Sequence, residues 1–380
     1  MKVIGIIGAG ASGLCAARHA LAAGLTPVVW EQSAELGGTW RLSDEVGVDK
    51  FGLPVHSSMY QNLNHFSVPA FPDIPDIKRF KGEKLHSHDY RDPRKYVGRR
   101  VLILGAGASG LDICVEVSSA ASKVYLAHNF PVLIPSEFPA NIIQVPSVKK
   151  ATDTGFILNN GKSVEVDVIL YCTGYEYKFP FLSDSCGIHV ENSQVKPLYK
   201  HIINAHYPTM GFIGLPSRVV VFPLVYYQVC YFLATLTGET ILPPLAEMMS
   251  VVEEGLMDLR LKGRNAKEYH RLHTEQWDYM EDLAFRSGLD PPPAFRKKMW
   301  GIVIIRLFLS FPLFKTYSYK LADDGTIVES RNGEILSSRW DLTHLAFKQL
   351  LRLMWRDFFN VFWLISSVTW QATTKFFKKN

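Results

Sequence analysis

The heptapeptide GAGASGL occurs twice in this chain of 380 residues, at positions 8–14 and again at positions 105–111. In both copies the glycines follow the pattern G-x-G-x-x-G and come directly after a short apolar run. Glycine permits the tight turn between a buried parallel strand and a helix, and it lets backbone N–H groups approach a pyrophosphate. The repeat therefore predicts an α/β fold with two dinucleotide-binding, Rossmann-like domains.

The first copy has the complete sequence context of such a site. Its pattern predicts a strand at residues 3–7, a helix at 14–23 and a second strand at 27–30. Glu31 follows eighteen residues after Gly13, close to the roughly twenty expected for the acid that binds a ribose hydroxyl. The next loop contains GGTW, in which Trp40 suits either a position beside a flat ring system or the core. The predicted cofactor-binding residues are Gly8, Ala9, Gly10, Ala11, Ser12, Gly13, Glu31, Gly38, Thr39 and Trp40.

The second copy differs at the position of the acid. The pattern predicts a strand at residues 101–104, a helix at 111–119 and a strand at 124–126. His128 then stands eighteen residues after Gly110, where the first copy has Glu31. The missing acid favours a dinucleotide with a 2′-phosphate, although no arginine is present nearby to clamp it. His128 is either a partial substitute or a surface residue at the end of the strand. The predicted cofactor-binding residues here are Gly105, Gly107, Ser109, Gly110 and His128.

Composition excludes several other classes of function. The net charge is +5 and the basic residues are scattered, which argues against nucleic-acid binding. The five cysteines are far apart and form no CxxC pair, as expected of reduced thiols in an intracellular protein. His86 and His88 have no accompanying ligand cluster, so we predict no metal site. No catalytic triad or carboxylate pair is present, and no catalytic residue is assigned.

A third pattern lies between the two copies. Phe80, Gly82, His86 and Tyr90 follow the spacing F-x-G-x3-H-x3-Y, and the sequence continues with Arg-Asp-Pro. The chain also contains the two GAGASG turns, the GGTW loop, CTGY at 172–175, PLYKHI at 197–202 and GFIGLP at 211–216. On these motifs the chain resembles the flavin-containing monooxygenases, the class B flavoprotein monooxygenases. A tyrosine at position 90 is similar to the branch of the family that oxygenates nitrogen and sulfur. The short second nucleotide domain is similar to that of the insect members.

The resemblance implies both cofactors and a reaction. FAD would occupy the first site and NADPH the second; NADPH would reduce the flavin, and O2 would add to give a C4a-hydroperoxide shielded by NADP+. A small soft nucleophile, either a tertiary amine or a sulfide, would then take the oxygen, as in xenobiotic metabolism. The implied domains are an FAD-binding domain in two parts, 1–96 and 173–300, an inserted NADPH-binding domain at 97–172, and a C-terminal apolar helical region at 301–380.

The sequence differs from the family pattern directly after Leu63. In the family, a long stretch separates the segment that resembles residues 60–63 from the segment that resembles 65–69, whereas here Asn64 alone joins them. This predicts an internal deletion that removes part of the flavin domain. Two alternatives to a competent monooxygenase therefore stay open. One is an impaired splice or gene-model variant that binds nucleotide without turnover, and the other is an NADPH oxidase that releases peroxide.

The C-terminal stretch leaves its own alternatives open. Residues 300–314 are very apolar, and residues 358–374 carry no charge before Lys375, Lys378 and Lys379. Aromatic residues at both ends of the uncharged stretch suit a membrane attachment, whereas its Asn, Ser, Thr and Gln content suits a helix packed on the protein. The resemblance accordingly implies either the endoplasmic reticulum membrane or the cytoplasm as the location.

Overall fold

The computed structural model describes residues 2–38 and 68–336. The chain divides into two units, one formed by residues 1–129 and 141–293 and the other by residues 130–140 together with the chain from 294 onward. The predicted split of the first unit into a flavin and a nicotinamide domain stays a prediction, as does the uncharged segment at 358–374, which lies outside the described residues.

The first glycine turn lies between β1 (Val3–Ile7) and α1 (Ala11–Ala22), and β2 (Thr26–Trp30) follows. β1 and β2 pair in parallel, from Val3 opposite Thr26 to Ile7 opposite Trp30. The helix begins three residues earlier than the apolar pattern predicts, because Gly10 in extended conformation serves as its N-cap. Among the described residues these two strands form a sheet by themselves.

The second glycine turn belongs to a larger parallel sheet. Its strands, with the helix and the small sheet between them, are β3 (Glu83–His86), β4 (Arg100–Leu104), α2 (Ala108–Ser118), β5 (Lys123–His128), β6 (Ile142–Pro146), β7 (Val148–Ala151), β8 (Gly155–Leu158), β9 (Ser163–Glu165) and β10 (Val168–Tyr171). The strand order is β3-β10-β4-β5-β6, with every pair parallel. β7, β8 and β9 form an antiparallel meander, and Asn160 and Gly161 lie in the turn between β8 and β9.

The rest of the first unit is built from short hairpins and three helices: β11 (His189–Glu191), β12 (Gln194–Lys196), β13 (Leu198–Tyr199), β14 (Ile203–Asn204), α3 (Val221–Thr237), α4 (Leu245–Leu261) and α5 (Gln276–Arg286). α3 packs on α1, where Val225, Val229 and Leu233 share a core cluster with Ala20 and Leu25. The helix that follows the first glycine turn is therefore packed against α3.

The second unit contains α6 (Ala294–Leu309) and an antiparallel sheet of β15 (Tyr317–Leu321), β16 (Ile327–Arg331) and β17 (Glu334–Ile335). The buried guanidinium of Arg306 makes two 2.8 Å hydrogen bonds to the carboxylate of Glu329. Over the described ranges, no helix has both the length and the apolar character needed to cross a membrane. The predicted fold class, α/β with Rossmann-like units and helices toward the C-terminus, is confirmed.

Candidate functional site

The backbone of the first turn is fixed at both of its ends. Gly8 has φ +95° and donates its N–H to the carbonyl oxygen of Trp30 at 2.7 Å, which ties the turn to the end of β2. A Cβ atom on Gly13 would stand 1.9 Å from the carbonyl oxygen of Gly8. Glycine is therefore required at both positions, at Gly8 by its dihedral angle and at Gly13 by close approach of the helix to the strand.

The loop after β2 returns to the first turn. The N–H of Gly37 donates to the carbonyl oxygen of Ala9 at 3.0 Å, and Gly10 and Gly37 form a parallel bridge. A Cβ atom on Gly38 would stand 3.1 Å from the Cα atom of Gly10. The two glycines that the sequence places in the GGTW loop thus lie against the turn itself. Thr39 and Trp40, predicted with them, lie outside the described residues.

Glu31 also reaches the first turn. Its Oε2 accepts the N–H of Ala9 at 2.6 Å, and its Oε1 accepts both the N–H and the hydroxyl of Ser33 at 2.9 Å. The carboxylate therefore stands at the carboxyl end of β2 beside the turn, which is the position expected for a ribose-binding acid. Sequence reasoning missed Ser33, whose role in orienting the carboxylate depends on the conformation of the loop.

The start of α1 fits a phosphate group. No side chain caps this helix, so the N–H groups of its first turn keep their capacity to bind an anion. The hydroxyl of Ser12 is buried and has no hydrogen-bond partner among the described residues. An uncapped helix start beside a glycine turn is suited to a pyrophosphate, and the Ser12 hydroxyl is a further group able to donate to it, so the residues present fit FAD.

The second turn repeats the local geometry of the first. Gly105 has φ +108° and donates its N–H to the carbonyl oxygen of Ala127 at 2.9 Å. A Cβ atom on Gly110 would stand 1.8 Å from the carbonyl oxygen of Gly105. α2 begins after Gly107 without a side-chain cap, and a Cβ atom on Gly107 would meet no atom within 4 Å. The space over Gly107 is open to a ligand, so this turn also fits a pyrophosphate, and Ser109 is buried in the helix start behind it.

His128 ends β5 beside this turn but is only 7% exposed. Its Nε2 lies 3.1 Å from Oε1 of Gln144 on β6. The structure therefore does not support the reading of His128 as a surface residue, and it shows the imidazole joined to the neighbouring strand. Sequence reasoning missed Gln144, because the contact depends on the parallel register of β5 and β6.

The third sequence pattern supports the second sheet from one edge. Phe80 is buried with its ring centroid 4.8 Å from that of Phe156, and a Cβ atom on Gly82 would stand 2.6 Å from the carbonyl oxygen of Asp167. Tyr90 is buried and donates its hydroxyl to Glu116 of α2 at 3.1 Å. The pattern thus anchors β3 and α2 to the sheet that carries the second turn.

His86, at the carboxyl end of β3, is buried among aromatic rings. Its Nδ1 accepts the N–H of His88 at 3.1 Å, and Tyr175 stands edge-on to it at 5.2 Å. Burial, together with the charge of His88, lowers the pKa of His86 to about 4, so its imidazole is neutral at neutral pH. Over residues 2–38 and 68–336, no three His, Cys, Asp or Glu side chains are grouped to hold a metal ion.

Comparison with known proteins gives one family. The sequence model described as flavin-binding monooxygenase-like matches residues 1–65, 54–134 and 130–351. Senecionine N-oxygenase of Tyria jacobaeae is 27% identical over 410 aligned positions, covering 84% of this chain and 90% of that protein. Flavin-containing monooxygenase FMO GS-OX3 of Arabidopsis thaliana is 29% identical over 78% of this chain and 64% of that protein, so this chain spans less than two thirds of the plant relative's length.

A solved structure shows the same fold. S-allyl-L-cysteine S-oxygenase from Allium sativum aligns with a TM-score of 0.75 at 24% identity, covering 92% of this chain and 98% of that one. The family match extends over both glycine turns and over the pattern between them. The chain therefore belongs to the flavin-binding monooxygenase-like family, whose cofactors are FAD and NADPH.

Proposed function

We propose that this chain is an NADPH- and O2-dependent monooxygenase that oxygenates a nucleophilic nitrogen or sulfur atom of a small molecule. The observation that carries the proposal is the pair of glycine turns, each with an uncapped helix start, in a chain of this family. The name of the relative senecionine N-oxygenase supports nitrogen as one target atom. Bound FAD supplies the redox chemistry with NADPH and O2.

The protein's own residues would bind and orient the two nucleotides. The N–H groups at the start of α1 and the hydroxyl of Ser12 would hold the FAD pyrophosphate, and Glu31 would hold a ribose. The second pyrophosphate would lie over Gly107, at the start of α2. In such an enzyme the protein contributes mainly by positioning the cofactors and the substrate and by excluding water. This agrees with the sequence analysis, which assigned no catalytic side chain.

The test is the ratio of oxygenated product to NADPH consumed. The full chain, supplied with FAD and NADPH in air, is given a tertiary amine such as N,N-dimethylaniline and then a sulfide, and products are counted by mass spectrometry. A monooxygenase yields about one product for each NADPH. Consumption of NADPH with peroxide and without product would instead identify an oxidase.

A second candidate function, nucleotide binding without turnover, is favoured by the sequence around Leu63. The alignment with the senecionine N-oxygenase has 410 positions, and 84% of this 380-residue chain supplies about 320 of them, so roughly 90 positions of the relative have no counterpart here. Two stretches of the family match overlap at residues 54–65, which supports a break close to Leu63. A loss at this point would remove part of the flavin domain.

Refilling the gap separates the two candidates. A chain with the relative's segment inserted after Leu63 is compared with the present chain for retained flavin and for the thermal midpoint of unfolding. A deletion that impairs the flavin domain predicts more flavin and a higher midpoint in the refilled chain. Equal flavin contents and equal midpoints would reject the impaired variant.

A further inference from the structure

Two segments that resemble the family, PLYKHI at 197–202 and GFIGLP at 211–216, lie outside the two glycine turns. The first contains β13 and the turn that follows it, and the second precedes α3. The structure places them side by side, because the N–H of Phe212 donates to the carbonyl oxygen of Ile202 at 2.8 Å.

A buried hydrogen-bond network joins the two segments a second time. Gln228 is fully buried on α3, and its Oε1 accepts the N–H of Gly214 at 2.8 Å. Its Nε2 donates to the hydroxyl oxygen of Tyr279 on α5 at 2.8 Å, and that hydroxyl donates to the carbonyl oxygen of Lys200 at 2.8 Å. Burial raises the pKa of Tyr279, so the hydroxyl keeps the proton that it donates. We call these four residues the Gln228 network, in which both ends of the buried amide have a partner.

The Lys200 end of the network is a strained turn that α5 holds by two contacts. Lys200 and His201 have φ +51° and +58°, a left-handed conformation that is unfavourable for residues other than glycine. Besides the hydrogen bond from Tyr279, the ammonium group of Lys200 forms an ion pair with Asp282 at 2.5 Å. Tyr279 and Asp282 are three positions apart on α5 and so lie on one face of it. Since a strained turn persists only where its surroundings fix it, α5 determines the position of this hairpin.

The Gly214 end of the network supports the helix of the FAD site. Ile213 packs on the same apolar cluster as Val225 and Val229 of α3, and this cluster includes Ala20 of α1. α1 begins at the first glycine turn and supplies the N–H groups that suit a pyrophosphate. Gln228 belongs to α3, and its side chain fixes the residue that follows Ile213. The network therefore holds together the two segments on which α1 packs.

We propose that Gln228 and Tyr279 are positioning residues for FAD, because they fix α3 and Gly214 behind α1 and so hold the first glycine turn in the conformation that binds the pyrophosphate. This inference rests on the proposed function, which assigns FAD to the first turn. The second turn lies on the five-stranded sheet, and its helix α2 packs on β4, β5 and β6 of that sheet. The effect of the network is therefore specific to FAD, and NADPH affinity does not depend on it.

The first test is Tyr279→Phe, which removes the hydroxyl and keeps the ring. It leaves Nε2 of Gln228 without its acceptor and the carbonyl oxygen of Lys200 without its donor. The matched control is Tyr227→Phe, which removes from the same helix as Gln228 a buried hydroxyl that donates to the carbonyl oxygen of Asp290 at 3.1 Å. In a titration of the flavin-free full chain followed by flavin fluorescence, FAD binding should weaken at least about fivefold for Tyr279→Phe. It should stay within about twofold of the wild type for Tyr227→Phe.

A merely structural role of Tyr279 predicts a different result. Both variants would then lose similar unfolding free energy in urea, while the folded form of each would bind FAD as tightly as the wild type. Equal FAD affinities of Tyr279→Phe and the wild type would therefore overturn the proposal, as would a parallel loss of NADPH affinity measured by nicotinamide fluorescence. A wild-type chain that binds no FAD would instead reject the proposed function, and the positioning role with it.

A double variant tests whether the two side chains act as one unit. Gln228→Leu keeps a good helix former in α3 and removes both hydrogen bonds of the amide, so FAD binding should weaken at least as much as in Tyr279→Phe. When both substitutions are combined, the loss of FAD affinity should be smaller than the product of the two single losses, because they share one hydrogen bond. Far-UV circular dichroism checks the fold of each variant. Losses that simply multiply would show that the residues act independently and would overturn the network as the cause.

Discussion

The two copies of the glycine turn share seven residues and one local geometry, but they rest on different sheets. β4, before the second turn, is the middle strand of five, and Val101, Leu102 and Ile103 are fully buried. β1, before the first turn, pairs only with β2 within the described residues, and Val3 and Ile7 are largely exposed. The turn is thus set by its own sequence, whereas the sheet depends on strands supplied from elsewhere in the chain.

The largest expected effect is at the close contact in the second turn. Gly110→Ala would place Cβ 1.8 Å from the carbonyl oxygen of Gly105, which the sheet holds in place, so we expect a loss of more than about 3 kcal/mol in unfolding free energy. Gly107→Ala meets no atom and is the control: it should keep its stability and lose affinity for NADPH. Gly13→Ala has a similar clash at 1.9 Å but should cost less, because the β1–β2 pair can shift. Urea unfolding measures all three, and equal costs for Gly13→Ala and Gly110→Ala would break the comparison.

Truncation of apolar side chains compares the two sheets directly. Leu102→Ala removes a fully buried side chain of β4 and should cost about 3 kcal/mol of unfolding free energy. Ile7→Ala removes a side chain of β1 that is 63% exposed and should cost less than about 1 kcal/mol. If chemical denaturation shows similar losses, β1 is buried in solution and the contrast between the sheets is wrong.

Acid should weaken the second sheet through His86. Burial lowers the pKa of His86 to about 4, so the unfolded chain binds a proton near pH 6.5 that the folded chain does not. Stability is therefore retained above pH 6.5 and falls as the pH decreases toward 4, with a loss of about 2 kcal/mol from this residue by pH 5. His86→Asn keeps an acceptor for the N–H of His88 and removes the titration, so its unfolding free energy should fall less steeply with acid. An unchanged slope would contradict this role of His86.

The smallest expected effect separates the two nucleotides. Glu31→Gln removes the negative charge of the acceptor and so weakens its hydrogen bonds to Ala9 and Ser33. We expect the weakened hydrogen bonds to cost about 1 kcal/mol. FAD affinity should fall about fivefold while NADPH affinity stays the same, because the second turn has His128 at the matching position. Fluorescence titration with each nucleotide measures this, and a parallel loss of NADPH affinity would show that the two sites are not assigned correctly.

The local features of the fold could be predicted from the sequence more readily than the hydrogen-bond partners of individual side chains. The strand, turn, helix and strand around each GAGASGL were predicted because glycine spacing and apolar periodicity act over a few residues. The pairing of His128 with Gln144 and of Glu31 with Ser33 could not be predicted, since both depend on sheet register or loop conformation. The exposure of Val3 and Ile7 could not be predicted from β1 itself, because VIGII has the apolar composition of a covered strand.

The most direct test is the visible absorbance spectrum of the full chain, loaded with FAD, passed through gel filtration and then mixed with NADPH. If the first turn holds FAD and the second holds NADPH, a flavin band remains after filtration, bleaches on addition of NADPH and returns in air. A chain that elutes without flavin, or whose flavin band NADPH leaves unchanged, would contradict the assignment of the two turns.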